Sequence, residues 1–134
     1  KGGKRMQYED LIGTPFIDGG RDNETGLDCW GLAREMFRRQ GIDVPDYQIS
    51  AMRTAEIARE MTAEEMDWTR LEAPEKGCLV LLRLDPEVWA NHVGIYLGGG
   101  KFIHAYRATG ACIDRLTRWR SRIVGFYQPK GAGK

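Results

Sequence analysis

An α+β fold, with a helix early in the chain and antiparallel strands in its second half, is what this 134-residue sequence predicts. Three observations carry the expectation. Leu32, Ala33, Met36 and Phe37 follow Cys29 at i+3, i+4, i+7 and i+8, the spacing of one buried helical face. From Pro74 the period changes to extended, starting with the continuous apolar run Cys78-Leu79-Val80-Leu81-Leu82, which reads as a central strand. His92 to Leu97 and Lys101 to Tyr106 then flank Gly98-Gly99-Gly100, a hairpin signal. Helices first and antiparallel strands second is the order of an α+β domain.

Composition bounds what such a domain can do. The length suits one compact domain, over 5–129, with flexible Lys/Gly-rich ends at 1–4 and 130–134. Twenty basic against 19 acidic residues, net +1, give no electrostatic case for nucleic acid or a membrane surface as partner. There is no apolar run of about 18 residues and no export signal at the start of the chain, which begins at Lys1. Three cysteines without a C-x-x-C pair, and only two histidines, argue against a disulfide framework and a structural zinc site. No metal or cofactor is expected. Cys78 and Cys112 fall in strand-like stretches and read as buried, inert thiols, with a Cys78–Cys112 disulfide left open.

Taken in order, Tyr8 to Ile12 suits a short helix, broken by Gly13-Thr14-Pro15-Phe16. Asp18-Gly19-Gly20-Arg21-Asp22-Asn23 is a glycine- and Asx-rich loop that delivers the chain to the next helix. Asp28 is a good N-cap for that helix, Gly41 a stop after the basic run Arg38-Arg39, and Pro45 lies beyond. Cys29 thus occupies the first helical position, where unpaired N–H groups and the helix dipole favour thiolate over thiol. Ile42 to Tyr47 reads as extended, and a second helix is expected from about Thr54 to Met61. Thr62-Ala63-Glu64-Glu65 has the form of a capping box. The loosely specified segment Gln48 to Glu72 is expected to cover the core. Two more strands are expected near Ala111 to Leu116 and Ile123 to Tyr127.

The hairpin register decides what the two histidines can do. With all three glycines in the loop, Leu97 faces Lys101, His104 lies opposite Gly94, and His92 opposite Tyr106. Val93, Ile95, Leu97, Ile103 and Ala105 then line one face, and His92, Gly94, Tyr96, Phe102, His104 and Tyr106 the other. The histidines become diagonal neighbours, roughly 7 to 8 Å apart at Cα, close enough for imidazole-to-imidazole hydrogen bonding. A two-residue loop would shift the register by one and split them between faces. Laying the Cys29 helix across the histidine face assembles a nucleophile, a base and an orienting group.

These residues resemble the NlpC/P60 cell-wall cysteine peptidases, which have a papain-like core with the nucleophile helix packed on an antiparallel β-sheet. The resemblance rests on Gly13-Thr14-Pro15-Phe16 with Gly19-Gly20, on Asp28-Cys29-Trp30-Gly31-Leu32, on Gly77, on His92 to Leu97, and on Phe102-Ile103-His104-Ala105. Asp28 to Leu32 with Pro45-Asp46-Tyr47, and the stretch Trp119 to Tyr127, look most like the phage tail-assembly members. The resemblance implies Cys29 as nucleophile, His92 as base and His104 as the residue orienting His92. It implies hydrolysis of peptidoglycan stem peptides, typically between D-glutamate and diaminopimelate, at the bacterial cell wall or from a phage tail with tail proteins as partners. Three positions depart from it. Phe16 stands where many members have an active-site tyrosine, for which Tyr8 and Tyr106 are candidate replacements. Trp30 replaces a common serine and is expected to reshape the pocket, and Cys78 replaces a common aspartate. Asp28 is a candidate contact for the substrate amine as well as a cap, whereas the arginines at 115, 118, 120 and 122 read as a solvated face. Acyl transfer on the same thiol fold, or a non-catalytic tail module, are the rival functions.

Overall fold

The computed structural model describes residues 6–46, 68–83 and 92–130. The helix expected over 54–61, the capping box at 62–65 and most of the expected cover lie outside these residues, as do both chain ends at 1–5 and 131–134.

The early helix forms where its caps place it. Helix α1 runs Cys29–Arg39 with Asp28 as N-cap, its side chain accepting the Gly31 N–H, and Gln40 as C-cap ahead of Gly41, whose φ is 82°. Its apolar stripe, with Trp30, Leu32, Ala33, Met36 and Phe37, is buried. The expected helix near Tyr8 is one turn of 3-10 helix, Glu9–Leu11. The glycine-rich loop after it contains a small ribbon, β1 (Arg21–Asp22) with β2 (Gly26–Leu27), where a plain loop was expected.

The remaining strands make one antiparallel sheet. They are β3 (Trp68–Leu71), β4 (Leu79–Leu82), β5 (His92–Gly98), β6 (Lys101–Tyr106), β7 (Gly110–Arg115) and β8 (Ile123–Pro129). Their spatial order is β3-β8-β4-β5-β6-β7, so the apolar run of β4 is central, as its unbroken hydrophobicity requires. Strand β3 falls at the end of the stretch expected to be cover, and a 3-10 helix, Leu116–Arg122, fills the link between β7 and β8.

The β5–β6 hairpin reconciles the two loop lengths considered from sequence. Tyr96 faces Phe102 and Ile95 faces Ile103, the register of a three-residue loop, yet Gly98 rather than Leu97 faces Lys101. A bulge at Leu97 absorbs one residue, so the tight turn is Gly99-Gly100 while the body of the ladder keeps its faces. Gly98, Gly99 and Gly100 all have positive φ, from 63° to 94°, a backbone that only glycine adopts without strain.

The two faces of the sheet carry separate apolar clusters. Val93, Ile95, Ile103 and Ala105, with Leu79 and Leu81, pack against α1. Val80, Leu82 and Phe102 pack on the other side with Leu116, Trp119 and Phe126. Because the histidines alternate with Val93 and Ile103, they lie on this second side. Helix α1 therefore does not cross the histidine face, contrary to the sequence expectation.

Candidate active site

The site is assembled where the β5–β6 ladder ends. On β5 the paired positions run from Ile95 to Gly98, which leaves the start of the strand unpaired with β6. Here the Val93 backbone N–H faces the Cys29 thiol at the head of α1. His92 is the neighbouring residue. The thiol thus meets the backbone of β5 one residue from His92.

From His92 a chain of side chains runs across two strands. His92 Nε2 and His104 Nδ1 are 2.8 Å apart, and His104 Nε2 lies 2.8 Å from Asp114 Oδ2. A carboxylate only accepts, so His104 Nε2 carries a proton and its Nδ1 is the acceptor. His92 Nε2–H must then be the donor between the rings, which leaves a lone pair on His92 Nδ1. The tautomer of the first imidazole is set by a carboxylate two residues along the relay. Gly94 makes room for it: a Cβ there would come within 2.8 Å of the Phe102 ring and 3.1 Å of His104 Cβ.

Aromatic rings hold the relay. Phe102 is 4.6 Å from the His104 ring, Trp119 meets it edge-on at 5.2 Å, and Tyr106 stacks at 5.9 Å from His104 while meeting His92 at the same distance. Of the expected substrate contacts, Tyr106 is thus brought to the histidines. Tyr8 packs on the main core, and Phe16 bridges to Leu27 beneath the Arg107 guanidinium, 4.9 Å from its ring centroid. Asp28 and Trp30 are fully buried. Asp28 accepts from Gly31 N–H at 2.7 Å, from Gly19 N–H at 3.0 Å and from Arg21 at 2.7 Å, which ties the glycine-rich loop to the head of α1. Trp30 donates to the Pro45 carbonyl at 2.9 Å and meets Trp68 edge-on. Both side chains are engaged in contacts within the fold.

Two neighbours of the relay carried no role in the sequence reading. Asp114 could have been found by placing β7 beside β6, since Phe102 pairs with Asp114 and His104 with Cys112. Cys112, expected to be buried and inert, is half-exposed with its Sγ 3.7 Å from His104 Nε2. All three cysteines are free, which answers the question of a Cys78–Cys112 bridge.

The electrostatics reverse one expectation. Burial, reinforced by the Asp28 carboxylate, pushes the Cys29 thiol up to about 12, although the Val93 and Trp30 N–H groups oppose the shift. Burial also drives His92 down to about 3, with His104 adding to it, and lowers His104 against the pull of Asp114. At the head of α1 the desolvation cost outweighs the helix field. Burial therefore favours the neutral form of both the thiol and the imidazole.

Acid should consequently weaken the fold before the carboxylates titrate. His92 binds a proton in the unfolded chain below about pH 6.5 but in the folded chain only near 3. Stability from its burial is thus fully present above 6.5 and falls by about 1.4 kcal/mol per pH unit below it. Thermal melts from pH 7 to 5 should show this decline, and His92→Gln should flatten it; an unchanged slope in the variant would remove His92 as the cause.

The NlpC/P60 family profile matches residues 13–127. The murein DD-endopeptidase MepS/murein LD-carboxypeptidase of Escherichia coli K12 is 29% identical over 119 residues, covering 87% of this chain and 56% of that protein. The bifunctional muramidase/DL-endopeptidase CwlT of Bacillus subtilis 168 is 31% identical over 131 residues, covering 93% and 34%. The crystal structure of the NlpC/p60 domain of the peptidoglycan hydrolase SagA superposes with a TM-score of 0.59 at 24% identity, covering 89% of each chain. The chain spans from about a quarter to just over half the length of the first curated relatives it matches.

Proposed function

The chain belongs to the NlpC/P60 family, and from that premise we propose that it is a cysteine endopeptidase of peptidoglycan stem peptides, cutting between D-glutamate and diaminopimelate. Cys29 is the nucleophile, His92 the base, and His104 the residue that positions His92. The observation that carries this reading is the relay Asp114–His104–His92, which leaves an unprotonated Nδ1 on the residue next to the thiol-facing Val93.

The neutral resting state sets the order of events. Substrate binding brings the scissile carbonyl to Sγ. The thiol proton passes to His92 Nδ1 as sulfur attacks carbon, and the oxyanion is held by backbone N–H groups at the start of α1. The tetrahedral adduct collapses, His92 gives its proton to the leaving amine, and a thioester remains. Water, losing a proton to His92, then attacks the thioester; the carboxylate product leaves and Cys29 recovers its proton. Throughout, His104 accepts the His92 Nε2–H, which keeps Nδ1 available.

Digestion of diaminopimelate-type peptidoglycan, read by mass spectrometry, tests the reading. Fragments with a new diaminopimelate amine are expected; fragments ending at another bond would move the specificity, and no release of peptide would overturn the reading. Asp114→Ala should lower kcat by about 10- to 100-fold, the usual cost of losing a partner that orients a reactive group, with KM little changed. A rise in KM alone would show that Asp114 serves binding.

The likeness of Asp28 to Leu32, Pro45-Asp46 and Trp119 to Tyr127 to phage tail-assembly members supports placing the protein in a tail, acting on the bacterial wall from outside the membrane. Its detection in purified virions by mass spectrometry is the corresponding test. No helix among the described residues is long and apolar enough to cross a membrane.

A further inference from the structure

We propose that His104, Cys112 and Asp114 form a binding site for a soft divalent transition metal, Zn²⁺ fitting best, and that the bound metal inverts the histidine relay. Their ligand atoms already form a compact triangle: Sγ to Nε2 is 3.7 Å, Sγ to Oδ2 3.9 Å, and Nε2 to Oδ2 2.8 Å. Tetrahedral zinc, with bonds of about 2.3 Å to sulfur and about 2.0 Å to nitrogen and oxygen, holds ligands roughly 3.3 to 3.6 Å apart. The two sulfur edges must close by a few tenths of an ångström and the Nε2–Oδ2 edge must open, and that is the edge whose bridging proton the metal would replace.

The chemistry and the support both suit a metal. One thiolate, one imidazole and one carboxylate are a zinc-type donor set, and sulfur selects against magnesium and calcium. The three residues stand on adjacent paired strands, with His104 facing Cys112 directly and Asp114 two residues further along the same side. Arg118 holds Asp114 Oδ1 at 3.2 Å, which leaves Oδ2 to the metal. Thr109 Oγ1, 3.2 Å from Sγ, is placed to anchor a water in the fourth position. Cys112 itself has no part in the relay, so its sulfur is free for this role.

The consequence for the relay follows from proton bookkeeping. A metal on His104 Nε2 displaces that proton to Nδ1, and His104 becomes the donor to His92 Nε2. His92 must then carry its own proton on Nδ1, the nitrogen that has to be bare to receive the thiol proton. Two imidazole protons move, the Cys112 thiol proton is released, and no electron is transferred. Binding stands apart from the peptidase reading, whereas the loss of activity rests on it.

Cobalt(II) titrated into the Cys29→Ala protein tests binding without any turnover. A sulfur-to-cobalt charge-transfer band saturating at one equivalent, displaced by Zn²⁺ and abolished by adding Cys112→Ser, is expected. Absence of the band, or its persistence in the double variant, overturns the site. In the protein with Cys29 intact, Zn²⁺ should suppress peptide release, and Cys112→Ser should need over roughly 100-fold more of it, beyond the loss typical of an outer-shell partner. Equal sensitivity overturns the inversion of the relay. Failure of the unmodified protein to release peptide removes the peptidase reading and leaves the cobalt result to decide the site.

Discussion

Replacing Cys29 with alanine leaves a chain that folds and releases no peptide from peptidoglycan. The expected loss in kcat is at least about 10⁴-fold, toward what binding alone retains once the nucleophile of a concerted set is gone. Folding should barely register the change. Cys29 is 4% exposed, and its truncation removes one sulfur atom from a position capped and packed by other residues. A melting temperature within a few degrees of the unmodified protein, together with no released peptide, is the expected pair of results. Substantial residual cleavage would assign the nucleophile elsewhere. His104→Ala should reduce the rate less, because the proposed mechanism gives it the orientation of His92 rather than a bond to the substrate.

Trp30→Ala gives the opposite pattern, a large loss of stability of about 3 to 5 kcal/mol, as for other fully buried aromatics. The indole lies between α1 and β3, edge-on to Trp68 at 6.1 Å, with Nε1–H bonded to the Pro45 carbonyl. Truncation opens a cavity beneath α1 and strands that carbonyl. At ~4 °C per kcal/mol for a domain of this size, the midpoint should fall by roughly 12 to 20 °C. Trp30→Phe keeps most of the ring and loses the hydrogen bond, so about 1 to 2 kcal/mol is expected. A raised KM with an unchanged melting temperature would instead place Trp30 in the substrate pocket, the role its bulk beside Cys29 suggests from sequence.

These two residues show what a sequence can and cannot reveal. Helix α1 was legible to its ends because caps are local: Asp28 and Gly41 act on backbone groups within a few residues. The pairing of His92 with His104 was legible because a short hairpin couples neighbouring strands through one register. Asp114 was not, since its place beside His104 depends on how β7 pairs with β6. The face to which α1 docks, and the side from which Trp30 is covered, are properties of packing between distant segments. Strand β3 escaped for the same reason, as its four residues gain their meaning only from β8. At Cys29 the helix field is readable from the sequence position, while the burial that opposes it is not.

The position of β8 bears on how the protein comes into being. Strand β8, the last described strand in sequence, is an interior one, hydrogen-bonded to β3 on one side and β4 on the other. On a ribosome, β4 to β7 can pair as soon as they emerge, but among the described strands β3 has no partner until residues 123–129 arrive. Closing that gap joins segments far apart in the chain, and such non-local pairing is slow because the loop-closure entropy is lost before the contacts form. A growing chain therefore already holds residues 29, 92, 104 and 114 while its sheet is still missing an interior strand. Completion of the sheet, and with it the fixed spacing of those four residues, waits for residues 123–129, so a chain that already carries every one of the four still lacks the strand that locks their scaffold together.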